Sequence, residues 1–263
     1  MIADRLNHAS LNDAMILSRA RCKRYAHCDL AALESLLARS DAADKLVITD
    51  AVFSMDGDIA PLSDIARLCE RYAAWLVVDD AHGFGVLGKS GAGALAHFGL
   101  DSPHIAYVGT LGKAAGVSGA FVAGSEQLIE MLIQRARTYI YTTASPPSLA
   151  AALMKSIELM GDEDWRRQRL SELSAQISRK CELRRWRFLP SQTAIQPLII
   201  GENSAAIALS DALATEGILV PAIRPPTVPK GSARLRISLS AAHTEADVDQ
   251  LMETLRRAEA SFS

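Results

Sequence analysis

Cysteine is scarce in this sequence, and its spacing shows no pairs. The 263 residues contain four cysteines and no C-x-x-C motif; they are Cys22, Cys28, Cys69 and Cys181. Such a pattern argues against a disulfide framework and against a zinc site built on cysteine pairs. We therefore expect reduced thiols, as in a cytoplasmic protein, and no bound metal.

An excess of charge of one sign and long apolar runs are also missing. The formal net charge is −2, which offers no electrostatic basis for binding nucleic acid or an anionic membrane. A basic run, RKCELRRWRF at residues 179–188, is interpreted as a solvated helix end. No apolar run approaches the length of a membrane span, and the first residues lack the features of a signal peptide. These absences predict a cytoplasmic protein with no nucleic-acid or membrane partner.

The sequence does contain alternating short apolar runs and amphipathic helical segments. Its 49% hydrophobic and 22% charged residues are ordinary for a globular protein with a substantial core. Strands are predicted at residues 46–49, 75–79, 105–109 and 119–123. Helices are predicted at residues 61–74, from Ser125 as N-cap, at 147–160 and at 164–183. This order predicts an α/β large domain in which helices cover both faces of a parallel sheet.

The pattern changes beyond residue 190. The stretches AIQPLIIG, GILVPAI and ARLRISL are typical of strands, and helices are predicted near residues 203–216 and 244–259. We expect a smaller α+β domain here. The predicted domains are residues 1–160 and residues 161–263.

A glycine motif, G-x-G-x-x-G, occurs at Gly83, Gly85 and Gly88 within WLVVDDAHGFGVLGKSGAG. A dinucleotide site needs a strand leading directly into the first glycine and a helix starting at the third. Here four residues separate Val78 from Gly83, and the Lys-Ser-Gly-Ala-Gly after Gly88 is a poor helix start. The glycines therefore predict a tight loop rather than a dinucleotide site.

Titratable groups follow the same predicted strand, namely Asp79, Asp80 and His82. Ligands of open α/β sheets bind beyond the carboxyl ends of the strands, where these residues lie. Such a cluster suits a solvated cation, a metal, or an acid that holds a protonated ring nitrogen. It also suits a solvated loop with a capping aspartate, so the cluster alone leaves these alternatives open.

A lysine follows the next predicted strand. Lys113 lies in a glycine-rich loop, three residues after Thr110. A lysine amine that forms a Schiff base and an aspartate opposite the pyridinium nitrogen are what proteins supply to pyridoxal phosphate (PLP). Asp79 and Lys113 suit these two roles, and the Thr110 hydroxyl suits a hydrogen bond to the cofactor phosphate.

Four longer stretches together resemble the α-oxoamine synthases: TDAVFSMDGDIAPL, LVVDDAHGFGVLG, TLGKAAGVSGAF and IRPPTVPKGSARLRISLSAAHT. The resemblance implies a PLP-dependent transferase of the aspartate aminotransferase-like fold, working as a homodimer. It implies an acyltransferase that condenses an amino acid with an acyl thioester and releases CO2. AIRPPTVP is most similar to the branch that joins L-alanine to pimeloyl-CoA, or a pimeloyl carrier protein, in biotin biosynthesis. The runner-up is the branch that uses glycine and acetyl-CoA to make 2-amino-3-ketobutyrate.

The resemblance also implies roles for the residues that surround the cofactor ring. Lys113 is the Schiff-base lysine and the acid/base of the reaction. Asp79 pairs with the pyridinium nitrogen, and His82 binds the phenolic oxygen of the ring. His8, in DRLNHAS, stacks on the ring and helps to orient the substrate.

Other residues are implied to bind the cofactor phosphate or the substrate. Ser54 contacts the cofactor, and Thr110 binds its phosphate. Thr142 and Thr143, in YIYTTASPP, reach the phosphate site of the neighbouring subunit. Arg224 binds the substrate carboxylate, and Thr227 of the same loop contacts the substrate.

The resemblance runs from the first residues to about residue 257, and the chain begins almost at His8. Family members have a long region before this histidine, with a helix, the first strands and a turn that binds the cofactor phosphate. We therefore expect an N-terminally truncated large domain that is completed by a missing segment or by another chain. The alternative is a non-catalytic remnant of the family that folds but holds the cofactor weakly.

Overall fold

The computed structural model describes residues 1–261. The chain forms two compact units. Unit 1 comprises Met1–Phe53 and Ala60–Asp164, and unit 2 comprises Ser54–Ile59 and Trp165–Ser263. The sequence pattern does not indicate that Ser54–Ile59 groups with unit 2, and the domain boundary at residue 160 stays a prediction.

Unit 1 is built on a six-stranded sheet with the order β2-β1-β3-β4-β5-β6. Its strands are β1 (Ile2–Asp4), β2 (Lys23–Tyr25), β3 (Lys45–Asp50), β4 (Ala74–Asp79), β5 (Ile105–Thr110) and β6 (Ala120–Ala123). Strands β1 to β5 pair in parallel, whereas β6 pairs antiparallel with β5. The expectation of a purely parallel sheet is therefore wrong at β6, because the chain returns through a tight loop rather than a helical crossover.

Two strands of this sheet were not predicted. Strands β1 and β2 have three residues each, too few for a periodic pattern to stand out. The apolar runs of β3, β4 and β5 are longer, and all three strands lie where they were predicted.

Helices cover both faces of the sheet. On one face, Val47 packs with Leu33 and Ile65 of the helices that follow β2 and β3. On the other face, Ile48 packs with Met15 of the helix that follows β1. Successive strand residues point to opposite faces, so an uninterrupted apolar strand supplies both cores.

The helices of unit 1 are α1 (Ala9–Leu17), α2 (Leu30–Ala38), α3 (Leu62–Arg71), α4 (Ala94–Phe98), α5 (Glu126–Arg135), α6 (Arg137–Ile140) and α7 (Pro147–Asp162). Ser125 is at the N-cap position of α5, but within residues 1–261 its side chain makes no capping hydrogen bond. The carbonyl of Ser125 instead accepts the first helical bond, from Ile129 at 3.1 Å. Among the described residues, no helix combines the length and apolarity that a membrane span requires.

Unit 2 has a four-stranded antiparallel sheet of order β7-β8-β10-β9. Its elements are α8 (Trp165–Lys180), β7 (Arg187–Phe188), β8 (Ile195–Gly201), α9 (Asn203–Thr215), β9 (Ala222–Ile223), β10 (Ala233–Ser238) and α10 (Glu245–Ser261). Leu198 and Leu235 of the sheet pack against Leu173, Leu209 and Leu251 of the helices. This is an α+β arrangement with its own core.

Only the end of GILVPAI forms a strand. The Ile218 amide donates to the Leu213 carbonyl at 2.9 Å, and Gly217 has a φ of +78°. These residues therefore terminate α9 rather than pair with a sheet, and glycine is the residue that tolerates this backbone. The strand prediction is wrong for the first part of this stretch.

Candidate functional site

The carboxyl ends of the parallel strands in unit 1 place polar residues along one edge of the sheet. Strand β3 ends at Asp50, β4 at Asp79 and β5 at Thr110. Asp50 lies directly opposite Asp79 in the β3–β4 register. Ligands of such sheets bind at this edge, so the register brings together groups that are far apart in the sequence.

Lys113 and His82 are in direct contact. The Lys113 Nζ atom lies 2.9 Å from the Nε2 atom of His82, and Lys113 is exposed. The sequence resemblance implied that both residues serve the cofactor ring, and the structure places them side by side. The pairing depends on tertiary structure, since Lys113 follows β5 and His82 follows β4.

The loop that carries Lys113 is held at several points. The Leu111 amide donates to the Gly119 carbonyl, and the Gly116 amide donates to the Lys113 carbonyl, both at 2.9 Å. The Ser156 hydroxyl of α7 donates to the Ala115 carbonyl at 2.7 Å. These bonds, which form where β5 and β6 make an antiparallel pair, define the position of the lysine backbone.

Asp79 is half-buried at the end of β4. Its Oδ1 atom accepts a hydrogen bond from the Ala81 amide at 3.0 Å, which orients the carboxylate. A carboxylate oriented at this edge of the sheet suits a protonated ring nitrogen.

The buried carboxyl group of Asp80 serves the structure of unit 1. It is fully buried, and its Oδ2 atom accepts from the Ala94 amide at 2.6 Å and from the Tyr107 hydroxyl at 2.7 Å. Burial raises the pKa of this carboxyl to about 6, against the opposing effect of these donors. Asp80 therefore ties the end of β4 to α4 and β5 instead of facing solvent.

The glycines after Asp80 allow close approach of the backbone. A Cβ atom at Gly83 would lie 2.1 Å from Asp80 Oδ1, and one at Gly93 would lie 2.1 Å from the Tyr107 hydroxyl oxygen. Gly85 and Gly88 have φ of +80° and +74°. The segment after Gly88 is a short 3-10 turn, Lys89–Gly91, rather than a long helix. The glycines form a loop, as predicted, and the dinucleotide alternative lacks its helix.

His8 is exposed and lies at the N-cap of α1. Its backbone amide donates to Asp50 Oδ2 at 2.6 Å. Asp50 was not singled out from the sequence, although it directly follows the strand predicted at residues 46–49, which precedes the strand that ends at Asp79. That position at the edge of the sheet was the available signal.

Three predicted site residues lie in unit 2. Ser54 is partly buried, whereas Arg224 and Thr227 are exposed, just after β9. The Thr227 amide donates to the Arg224 carbonyl at 3.1 Å, across the cis bond between Pro225 and Pro226. The structure thus brings Arg224 and Thr227 together, and the roles of all three residues stay predictions.

Arg236 is a further candidate that was missed. Its Nε atom donates to the Ser54 carbonyl at 2.5 Å, and its Nη1 atom donates to the Ser238 hydroxyl at 2.8 Å. Burial lowers the pKa of this guanidinium. A partly desolvated arginine beside Ser54 suits the recognition of a carboxylate, and alternation with the buried Arg234 along β10 was its only sequence signal.

Thr142 and Thr143 are exposed in the segment between α6 and α7. Their predicted target is a neighbouring subunit, so their roles stay predictions.

A separate group of possible metal ligands lies near the other strands. Asp4, His27 and Cys28 form the one such group found within residues 1–261. The Asp4 carboxylate faces His27 Nδ1 at 3.1 Å and accepts from the Cys28 amide at 2.8 Å and the Leu6 amide at 2.8 Å. These bonds join the ends of β1 and β2, which explains the group without a metal.

The fold and the lysine-bearing edge of the sheet define a class of protein. The family model for aminotransferase class I and II matches residues 1–255. The chain therefore belongs to this family.

Individual relatives narrow the class and confirm the resemblance to α-oxoamine synthases. An 8-amino-7-oxononanoate synthase from Nitrosospira multiformis is 62% identical over 97% of this chain. The one from Herminiimonas arsenicoxydans is 60% identical over 98% of this chain and is covered over 68% of its own length. The chain spans 65% of the length of the Nitrosospira protein, so it corresponds to part of such a synthase.

Solved structures agree with this placement. Serine palmitoyltransferase from Sphingomonas wittichii superposes with a TM-score of 0.94 at 31% identity, over 99% of this chain and 66% of that one. An 8-amino-7-oxononanoate synthase from Francisella tularensis gives a TM-score of 0.84 at 34% identity, over 98% of this chain and 74% of that one. A further neighbour is described as SPT with PLP, at a TM-score of 0.91, 29% identity, and coverage of 99% of this chain and 66% of that one. The predicted fold class is confirmed.

Proposed function

We propose that this chain carries the PLP-binding and reacting residues of an 8-amino-7-oxononanoate synthase. The reaction joins L-alanine to pimeloyl-CoA, or to a pimeloyl carrier protein, and releases CO2. The contact of 2.9 Å between Lys113 Nζ and His82 Nε2, at the edge of the sheet that also ends in Asp79, carries the proposal. Identity of 62% to a protein of that name supports the choice of reaction.

The residues at this edge fit the chemical requirements of PLP. The cofactor needs an amine for its aldehyde, an acid for its ring nitrogen and a polar group for its phenolic oxygen. Lys113, Asp79 and His82 supply these three groups from the ends of neighbouring strands. When bound, PLP supplies an electron sink that stabilises a carbanion at the substrate α-carbon.

The protein would contribute binding, orientation and proton transfer. The Lys113 amine would hold the cofactor and would also remove and return the substrate α-proton. The Asp79 carboxylate would keep a proton on the ring nitrogen, and the His8 imidazole would lie against the ring. A lysine amine can both form a covalent bond to a cofactor aldehyde and act as a general base.

The remaining proposed contacts concern the phosphate and the substrate. Thr110 and Ser54 would bind the cofactor. Thr142 and Thr143 would act across a homodimer. Arg224 and Thr227 would bind the substrate, and the guanidinium of Arg224 suits a carboxylate.

Trapping of PLP on Lys113 tests the proposal. The chain is incubated with PLP, reduced with borohydride and digested, and the modified peptide is identified by mass spectrometry. We expect modification at Lys113, and its loss in K113A and K113R. The matched control K89A removes another exposed lysine of unit 1 and should leave trapping unchanged. Modification spread over surface lysines, or trapping that survives K113A, would contradict the assignment.

Turnover provides the second measurement. With L-alanine and pimeloyl-CoA, K113A should lower the rate roughly 10²- to 10⁴-fold, the usual worth of a positioned acid/base group. Titration of the PLP-loaded chain with L-alanine and with glycine, followed by the cofactor absorbance, tests the choice of amino acid. A larger response to glycine would favour the 2-amino-3-ketobutyrate branch. A wild-type chain that retains no PLP would identify a folded, non-catalytic member of the family.

A further inference from the structure

The segment that carries His8 is hydrogen-bonded to strand β3 beyond the point where the β1–β3 pairing ends. The β1–β3 ladder ends at Ala3 opposite Ile48. After it, the buried side chain of Asn7 takes the place of a strand residue: its Nδ2 atom donates to the Ile48 carbonyl at 2.8 Å, and its Oδ1 atom accepts from the Asp50 amide at 3.1 Å. The amide of Asn7 thereby satisfies one donor and one acceptor of β3.

Asp50 completes this connection from the other side. Its Oδ2 atom accepts from the His8 amide at 2.6 Å. Asn12 of α1 donates from Nδ2 to the Asn7 carbonyl at 2.9 Å and to the His8 carbonyl at 3.2 Å. The backbone of His8 is therefore bonded at both its amide and its carbonyl, and we call Asn7 and Asp50 the His8 clamp.

The orientation of the imidazole is defined as well. The Ser10 amide donates to His8 Nδ1 at 3.2 Å, and the Ser10 hydroxyl lies 2.8 Å from the same nitrogen. A backbone amide can only donate, so Nδ1 accepts. The neutral ring then carries its proton on Nε2, which leaves Nε2–H as its other polar group.

The environment of Asp50 is unfavourable for a carboxylate. Asp50 is 5% exposed and lies opposite Asp79, another acid. Burial raises its pKa to about 7, and Asp79 acts in the same direction, while the His8 amide and Lys113 oppose the shift. Burying an acid beside another acid is unfavourable, and such groups concentrate at functional sites.

Resting on the proposed function, we propose that Asn7 and Asp50 are positioning residues that act through His8. They hold its backbone so that the ring presents Nε2–H at the carboxyl edge of the sheet, which also carries Lys113 and Asp79. Neither clamp residue needs to touch the substrate, since Asp50 bonds the His8 amide and Asn7 anchors the preceding residue to β3. An asparagine at position 50 retains the acceptor oxygen, whereas an alanine does not.

Histidine NMR tests the clamp without any cofactor. In the wild-type chain, we expect the nitrogen shifts of the neutral His8 ring to report the Nε2–H tautomer. D50A and N7A should move these shifts towards the mixture of tautomers of a free histidine, and D50N should keep the wild-type values. D29A is the matched control, because Asp29 caps α2 through a hydrogen bond of 2.9 Å from Ala32 outside this site. If the nitrogen shifts of His8 were the same in D50A as in the wild type, the inference would be overturned.

A double-mutant cycle tests the link to activity. D50A and H8A should each lower kcat/KM roughly 10- to 100-fold, with kcat carrying most of the loss, since small displacements of a positioning group have effects of this size. The double variant should be no slower than H8A within about twofold, because Asp50 acts only through the ring. If the double variant lost kcat/KM by the product of the two single losses, the inference would be overturned. It would also be overturned if D50A lowered the stability of the chain but not its kcat/KM. A wild-type chain that takes up no PLP would contradict the proposed function instead, and the NMR result would still decide the clamp.

Discussion

Asp50 and Asp80 are both buried carboxyl groups in unit 1, but they serve different neighbours. Asp50 bonds the backbone of His8, and Asp80 bonds Ala94 and Tyr107. Burial raises the pKa of each, to about 7 and about 6. At the residue scale, this gives the protein a pH dependence that exposed carboxylates do not produce.

Replacing Asp80 by asparagine should make stability less dependent on pH. The Asp80 carboxyl has a pKa of about 6 in the folded chain, against an ordinary aspartate value of 3.8. Between these two pH values the folded chain therefore binds more protons than the unfolded one. Wild-type stability therefore falls as pH rises through this range, and D80N cannot show this loss. Urea unfolding at pH 4 and pH 7 should show the wild type losing about 1–3 kcal/mol relative to D80N.

The exposed Asp41 provides the control for this experiment. D41N removes a carboxylate at the surface and should leave the difference between the two pH values unchanged within about 0.5 kcal/mol. Equal pH dependence in D80N and the wild type would contradict the role of Asp80.

At the element scale, glycines in the loop after β4 allow the loop backbone to approach the Asp80 side chain closely. The Gly93 position has a φ of +92°, and a Cβ atom there would lie 2.4 Å from Asp80 Oδ2. Gly99, at the end of α4, has a φ of +63°, but a Cβ atom added there would have no other atom within 4 Å. Both glycines have a positive φ, but Gly99 has a left-handed helical backbone with ψ of 33°, whereas Gly93 has ψ of −170°, a conformation that essentially only glycine adopts. Gly93 also lacks the space for a Cβ atom.

Alanine should be tolerated much better at position 99 than at position 93. G99A should cost about 1–2 kcal/mol, from the left-handed backbone alone. G93A should cost about 1–3 kcal/mol more, because its backbone suits only glycine and its methyl group displaces the Asp80 carboxylate or the Tyr107 hydroxyl. Free energies of unfolding from urea titration measure both. Equal costs would show that the close approach at Gly93 relaxes without penalty.

At the scale of the whole molecule, unit 2 is assembled from two separate parts of the chain. Ser54–Ile59 interrupts unit 1 and groups with residues after Trp165. Asp56 of this segment pairs with Arg234 at 2.7 Å, and the arginine side chain is only 5% exposed. Ser191 and Thr193 also donate hydroxyl hydrogen bonds to the Gly57 carbonyl, at 2.8 Å and 3.0 Å.

Removing Asp56 should therefore destabilise unit 2. D56A leaves a buried guanidinium without its partner, which costs about 3–5 kcal/mol. The matched control E216A breaks the exposed pair with Arg257 and should cost less than about 1 kcal/mol. Unfolding followed by the fluorescence of Trp186, buried in the core of unit 2, measures both. A cost for D56A no larger than that for E216A would contradict the role of this segment.

Much of the fold could be predicted, because local patterns determine long elements. Strands β3, β4 and β5 have apolar runs long enough to be recognised, and α3 follows a proline with apolar residues at helical spacing. Strands β1 and β2 could not be predicted, because each is held by pairing with a neighbour rather than by a pattern of its own. The strand β6 was predicted, but its antiparallel direction was missed because a tight loop rather than a helical crossover leads into it.

The sequence by itself determined the longer strands and helices, the family, and the residue types that the site requires. The lysine, the acids and the histidines are in the motifs, and parallel strands bring their carboxyl ends to one edge. Only the tertiary structure decided which groups meet: Lys113 with His82, Asp50 with the backbone of His8, and Asp80 with Tyr107. The physical reason is that sheet register and burial, which depend on the whole chain, set both these distances and the pKa values of the acids.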